Sequence, residues 1–248
     1  MTASQRDPGR VVAIVQARMT STRLPGKVLA DLCGRPALAA LIARTRQSRL
    51  LDAIVVATTV NATDDPLAGL CAELGVPVYR GDEADVLGRY REAAAFAEAD
   101  TVVRITGDCP MIDPGVIDQA IAMYAHGDWD YVSNCNIRTY PDGLDVEVFS
   151  RAALEEADRE ANHAFLREHV TPYIRGTRPE YGSGAFKVGQ LVFDADFGHI
   201  RWTLDTADDL QRIRRLVSAL GENYTWLQAL SVATREPDLL GLPPGNGA

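Results

Sequence analysis

Apolar positions fall into short blocks separated by amphipathic stretches. Val11–Gln16 (VVAIVQ), Ala53–Thr59 (AIVVATT), residues 76–80, Thr101–Thr106 (TVVRIT) and residues 129–133 are brief runs rich in β-branched residues, the pattern of buried strands. Between them the period becomes helical. Over residues 36–47, Leu38, Leu41, Ile42 and Thr45 share one face; over 85–98, Val86, Leu87, Tyr90, Ala94 and Ala97 do. Asp65-Pro66 and Asp113-Pro114 each read as a helix start, with Asp as N-cap and Pro in the first turn. Short strands alternating with helices form parallel crossover units. The pattern predicts an α/β fold with an open, mostly parallel, Rossmann-like sheet.

Beyond Ser133 the alternation breaks. Residues 142–149 and 183–193 read as extended strands around a helical stretch over 150–175. Residues 205–220 read as a closing helix with Ala207, Leu210, Ile213, Val217 and Leu220 on one stripe. We expect a single domain over 11–235 with a smaller β-rich insertion in 134–203. Residues 1–10 and 236–248, rich in Gly, Pro and polar residues, are expected to be flexible.

Composition adds exclusions. The net charge of -9 opposes coating of a phosphodiester backbone, so no nucleic-acid partner is expected. No apolar run reaches the roughly 18 residues of a membrane span, and the N-terminal MTASQRDPGR lacks the apolar core of a signal peptide. The four cysteines, Cys33, Cys71, Cys109 and Cys135, form no C-x-x-C pair, which suits a reducing, cytoplasmic setting and disfavours zinc-ribbon or thioredoxin chemistry. His163 and His169 lack the i, i+4 spacing of a helical zinc pair.

In open α/β sheets ligands sit beyond the carboxyl ends of the strands. The loop after the first strand, residues 17–27 (ARMTSTRLPGK), carries Arg18, Arg23 and Lys27 with the hydroxyls of Thr20, Ser21 and Thr22, and no Asp or Glu occurs between Pro8 and Ala30. Such a loop in an acidic chain is an anion trap suited to a polyphosphate. It is neither a P-loop nor a dinucleotide fingerprint. Asp108 directly follows the strand Thr101–Thr106, after Gly107 and before Pro110. A carboxylate beside bound phosphates is the setting Mg²⁺ prefers. Thr206 and Asp209 have capping-box spacing, which leaves Asp205 free at the end of a short strand over 199–204.

The segment Q-A-R-M-x-S-x-R-L-P-G-K, followed by Arg80-Gly81, Asp85-Val86-Leu87-Gly88-Arg89, Arg104-Ile105-Thr106-Gly107-Asp108-Cys109-Pro110, E-H-V-T-P-Y ending at Tyr173, and Leu204-Asp205-Thr206, resembles the cytidylyltransferases that activate acidic sugars. Among these are the 3-deoxy-manno-octulosonate and acylneuraminate synthetases. The resemblance is nearer to the spore coat polysaccharide biosynthesis branch; the octulosonate synthetases carry Gln where this chain has Thr106.

The resemblance implies transfer of CMP from CTP to a sugar or sugar-acid acceptor with release of pyrophosphate, for surface polysaccharide or glycoconjugate biosynthesis. It also implies a homodimer paired through 134–149 and 183–193. Arg18, Lys27 and Asp108 are then the catalytic candidates. Ala17, Arg18, Ser21, Arg23, Gly26, Lys27, Arg80, Asp85, Thr106 and Gly107 would bind the nucleotide, and Asp108 and Asp205 would hold Mg²⁺. Asp142, Glu147 and His169 are candidates for the acceptor, and Arg138, Arg167, Arg175 and Arg201 are open candidates for reading a substrate carboxylate. The rival is a glycosyltransferase using a preformed nucleotide sugar, which needs no clamp for a free triphosphate.

Overall fold

The computed structural model describes residues 7–242. Its strands are β1 (Val11–Gln16), β2 (Ala53–Thr59), β3 (Val78–Gly81), β4 (Thr101–Thr106), β5 (Tyr131–Ser133), β6 (Glu147–Ser150) and β7 (Val188–Gln190). They form one sheet in the order β3-β2-β1-β4-β6-β5-β7. β1 pairs in parallel with β2 and β4, and Gln16 lies opposite both Ala57 and Thr106. The chain therefore runs outward in one direction through β2 and β3, then returns to the other side of β1 with β4. This reversal opens a crevice at the carboxyl ends of β1 and β4, where α/β sheets hold their ligands.

Both faces of β1 are buried, which its unbroken apolar run requires. Val11, Ala13 and Val15 enter one core with α1 (Ala37–Thr45), α2 (Asp65–Glu73), α4 (Pro114–His126), α8 (Ala207–Leu220) and α9 (Trp226–Ala233). Val12 and Ile14 enter the opposite core with α3 (Val86–Phe96), α5 (Arg151–Glu160), α6 (Ala164–His169) and α7 (Pro172–Arg175). Among the described residues no helix is long and apolar enough to cross a membrane.

Several local expectations change. The N-cap position of α2 is Asp64 rather than Asp65, and the Asp64 side chain makes no cap bond. The helical stretch over 150–175 is three helices. Val170 adopts φ +70° between the last two, a conformation that stops a helix and is unusual for a β-branched residue. The expected strand over 142–149 shortens to β6, which enters the sheet antiparallel between β4 and β5. The expected strand over 183–193 shortens to β7, parallel to β5. Both strands extend the central sheet, β6 paired on both sides and β7 at its edge. Residues 199–204 form no strand, only a bridge between Asp142 and Arg201.

At the chain ends, the Arg10 N–H donates to Asp100 at 2.8 Å, and Pro237–Leu240 is a 3₁₀ turn with Leu239 buried. The parts of the expected flexible ends over 1–6 and 243–248 lie outside the described residues.

Candidate active site

The loop after β1 is shaped by its backbone. Gly26 has φ +71°, a left-handed conformation that glycine adopts at little cost, and its N–H donates to the Met19 carbonyl at 2.9 Å. The turn delivers Lys27 to the crevice. The Met19 N–H in turn donates to Asp64 at 2.8 Å, and the Thr58 and Thr59 hydroxyls donate to the same carboxylate at 2.8 and 2.6 Å. Asp64 is fully buried. Burial alone would raise its pKa, but hydrogen bonds from Thr59, Met19 and Thr58 hold it below the usual carboxylate range. Asp64 thus fastens the loop to the end of β2. Sequence reasoning missed it, since the adjacent Asp-Pro pair absorbed the only local signal.

Two contacts set the other wall. The Gly107 N–H donates to the Gln16 carbonyl at 2.8 Å, and a Cβ on Gly107 would lie 2.9 Å from that oxygen. Glycine is required there by close approach rather than by a sharp turn. The Leu204 N–H donates to the Asp108 carbonyl at 2.8 Å, which brings the segment carrying Asp205 alongside Asp108.

The two carboxylates meet on one cation. Lys27 Nζ is 2.8 Å from Asp205 Oδ1 and 3.5 Å from Asp108 Oδ2. Arg23 Nη2 also reaches Asp205 Oδ1, at 2.9 Å, and Arg201 Nη2 reaches Oδ2 at 2.7 Å. Burial pushes the Asp205 pKa up, but the Lys27 hydrogen bond and charge, joined by Arg23 and Arg201, hold it below the ordinary range. Arg18 pairs with Glu83 at 3.2 Å, and Glu83 also accepts from Thr20 at 2.7 Å and Asn61 at 2.6 Å. A loop without acids in sequence is therefore matched by acids in space.

Ala17, Arg18, Ser21, Arg23, Lys27, Thr106, Gly107, Asp108, His169 and Asp205 all line one cleft of about 440 Å³. A second cleft, which includes Glu147, Arg104, Arg138 and Arg175, shares Thr106 and His169 with the first. His169 stands at the junction.

Four expected site residues have partners within the fold. Arg80 donates to the Thr59 and Asn61 carbonyls, both at 2.8 Å, and pairs with Asp65 at 2.7 Å; it braces the turn after β2. Asp85 caps α3, accepting from the Gly88 N–H at 3.0 Å, and binds Arg167 through both carboxylate oxygens. Asp142 lines neither cleft and accepts from Arg138 at 3.2 Å. Burial, reinforced by Asp145 and Asp108, raises its pKa despite Arg138. Glu147 lines the second cleft but is buried and already bound to Arg104 and to the Tyr131 hydroxyl. Burial and then Asp108 hold the Cys109 thiol well above its usual pKa, which suits packing rather than nucleophilic attack.

Among the described residues no group of three or more His, Cys, Asp or Glu is arranged to hold a metal ion. Asp108 and Asp205 nevertheless converge on the charge of one ammonium. Two hard oxygen donors, completed by water and phosphate oxygens, fit a hexacoordinate divalent cation. Asp108 has open lone pairs, whereas Asp205 would exchange a hydrogen bond from Lys27 or Arg23.

A polar, cationic cleft at the switch point of a doubly wound sheet is the arrangement of an α/β enzyme that handles nucleotides. Comparison with known proteins makes the assignment specific. The chain belongs to the cytidylyltransferase family, whose model matches residues 12–229, and it is a cytidylyltransferase. It is 35% identical to the spore coat polysaccharide biosynthesis protein SpsF of Bacillus subtilis, over 92% of this chain and 95% of that protein. It is 29% identical to a 3-deoxy-manno-octulosonate cytidylyltransferase of Geobacter sulfurreducens, over 91% of this chain and 88% of the relative. The solved structure of a cytidylyltransferase from Leptospira borgpetersenii superposes with a TM-score of 0.86 at 30% identity, covering 96% of this chain and 98% of that one.

Proposed function

We propose that this enzyme transfers CMP from CTP to a hydroxyl of a sugar or sugar acid, releasing pyrophosphate, in the making of a surface polysaccharide or glycoconjugate. The observation that carries the reading is Lys27, whose ammonium is shared by Asp108 and Asp205 on the wall of a cleft that Arg18 and Arg23 also line. A triphosphate entering this cleft meets three cations. Lys27, Arg18 and Arg23 exchange their carboxylate partners for β- and γ-phosphate oxygens, and they neutralise charge on the departing pyrophosphate. Ser21 adds a hydroxyl donor. Asp108 and Asp205 would hold Mg²⁺, which when bound polarises the α-phosphate. The acceptor fills the second cleft and meets the nucleotide at Thr106 and His169. Its hydroxyl oxygen bonds to the α-phosphorus, the bond from that phosphorus to the bridging oxygen breaks, and the hydroxyl proton is released. The chemistry is positioning and charge neutralisation rather than covalent catalysis.

Two copies are proposed to pair through 134–149 and 183–193, and the name of the octulosonate-activating relative supports a sugar-acid acceptor. The test is pyrophosphate release from CTP, ATP, GTP and UTP with Mg²⁺ and a panel of sugars and sugar acids. CTP with one or more acceptors is expected to react. Transfer from a preformed nucleotide sugar, with no pyrophosphate released from any triphosphate, would overturn the reading.

A further inference from the structure

We propose that Arg201 is a positioning residue for the transfer: it fixes Asp205 from outside the phosphate cleft and keeps that carboxylate matched while Lys27 and Arg23 turn to the triphosphate. The inference deepens the reading above and rests on it. Three cations meet Asp205, and they divide between its two oxygens. Lys27 and Arg23 reach Oδ1 at 2.8 and 2.9 Å, whereas Arg201 Nη2 donates to Oδ2 at 2.7 Å. Lys27, Arg23 and Asp205 line the phosphate cleft, and Arg201 does not. Oδ1 is thus the exchangeable oxygen, and Oδ2 is held by a group that the incoming phosphates do not meet.

The hold on Oδ2 is itself anchored. Arg201 Nη1 donates to Asp209 Oδ1 at 2.6 Å, so one guanidinium bridges two carboxylates, a task suited to its rigid fork. Asp209 is buried. Its Oδ2 accepts the N–H groups of Asp205 and Thr206 at 3.0 and 2.9 Å, and Arg212 donates to Oδ1 at 2.9 Å. The backbone of Arg201 is fixed too, since its N–H donates to the Leu240 carbonyl at 2.9 Å. Asp205 is therefore held at its backbone by Asp209 and at one oxygen by Arg201.

The charges divide in the same way. Asp205 and Asp209 are balanced by Arg201 and Arg212 without any help from Lys27 or Arg23. When Lys27 and Arg23 leave for phosphate oxygens, Asp205 is not stranded as a largely buried charge without a partner, a state that is strongly unfavourable. With Arg201 removed, the only cations left on Asp205 are the two that the phosphates need, so carboxylate and triphosphate compete for them.

The test combines binding and kinetics on the full-length protein. Calorimetry measures CTP binding, paramagnetic resonance measures Mn²⁺ binding to the CTP complex, and pyrophosphate release is followed with the best acceptor of the panel above. Arg201→Gln should weaken both binding steps and lower kcat, each by about 10- to 100-fold, while KM for the acceptor stays within about twofold. Arg201→Lys should recover part of the loss. Arg212→Gln loosens the same Asp209 without touching Asp205, and its effect should stay within about threefold; an effect equal to that of Arg201→Gln would show a merely structural role and overturn the proposal. In an Asp205→Asn background, Arg201→Gln should add little; a full additional loss overturns the proposal. Unchanged CTP and Mn²⁺ binding in Arg201→Gln also overturns it, as does an effect confined to KM for the acceptor. If Arg201→Gln loses the helical circular dichroism spectrum, Arg201→Lys decides: a loss of about 3- to 10-fold in binding is expected, and unchanged binding overturns the proposal. Absence of CTP binding to the unaltered protein overturns both this inference and the reading above, whereas equal CTP binding by the unaltered protein and Arg201→Gln overturns this inference alone.

Discussion

With an ammonium 2.8 Å from Asp205 and 3.5 Å from Asp108, Lys27 stabilises two carboxylates that would otherwise repel each other, and it sits where incoming phosphates compete for it. The sequence holds only one other lysine, Lys187, which pairs with Asp128 in exposed surroundings. A compact ammonium can bridge two acids and then turn to a phosphate, a task to which a planar guanidinium is less suited. We predict that Lys27→Ala and Asp108→Asn each reduce pyrophosphate release about 100-fold or more with the far-UV circular dichroism unchanged. Turnover near that of the unaltered enzyme would remove the assigned role. At this scale Lys27, Asp108 and Asp205 were legible, because each follows or precedes a recognisable element boundary. Arg80, Asp85, Asp142 and Glu147 turn out to have partners within the fold, some near and some far along the chain: Asp142 pairs with Arg138, Glu147 with Arg104, and Asp85 with Arg167.

Asp64 links elements rather than residues, tying the loop after β1 to the end of β2 through the Met19 N–H and the threonine hydroxyls. Its pKa is lowered in the fold, against the upward push of burial, by those hydrogen bonds. A carboxylate depressed on folding adds stability that is full above its unfolded pKa of about 4 and is lost as pH falls through the folded value. Urea titrations at pH 7 and pH 3 should therefore show a larger acid-induced loss for the unaltered protein than for Asp64→Asn. The variant should be less stable at pH 7 by about 1–3 kcal/mol, the cost of leaving buried donors poorly matched. Equal pH dependence in the two proteins would refute the role. The capping box of α8, in which Thr206 and Asp209 bond each other's N–H groups, was by contrast readable from a spacing of three residues.

Across the whole molecule the sheet order decides what can meet. β6 is antiparallel between β4 and β5, so the segment that follows it is carried over the α3 face, where α6 and α7 wall the second cleft. The segments proposed to pair two copies present Ile137 and Val192 with 56% and 50% of their surface exposed, an apolar exposure that a partner would cover. Light scattering should give the mass of a dimer, and Ile137→Asp with Val192→Asp should shift it to that of a monomer. A monomeric unaltered protein would remove the proposal.

Local order was available from the chain alone. Alternating apolar runs and helical periods specify β1, β2, β4 and the first helices, since burial on both faces and the capping chemistry act over a few neighbouring residues. The basic character of the loop after β1 was equally visible. Only the folded chain settled which charges remain available to a ligand. Arg104 pairs with Glu147 and Arg167 with Asp85 across dozens of positions, Arg138 and Arg201 pair with carboxylates close by in sequence, and Arg175 faces a neutral amide. Electrostatic pairing depends on separation through space, and separation along the chain carries little of that information.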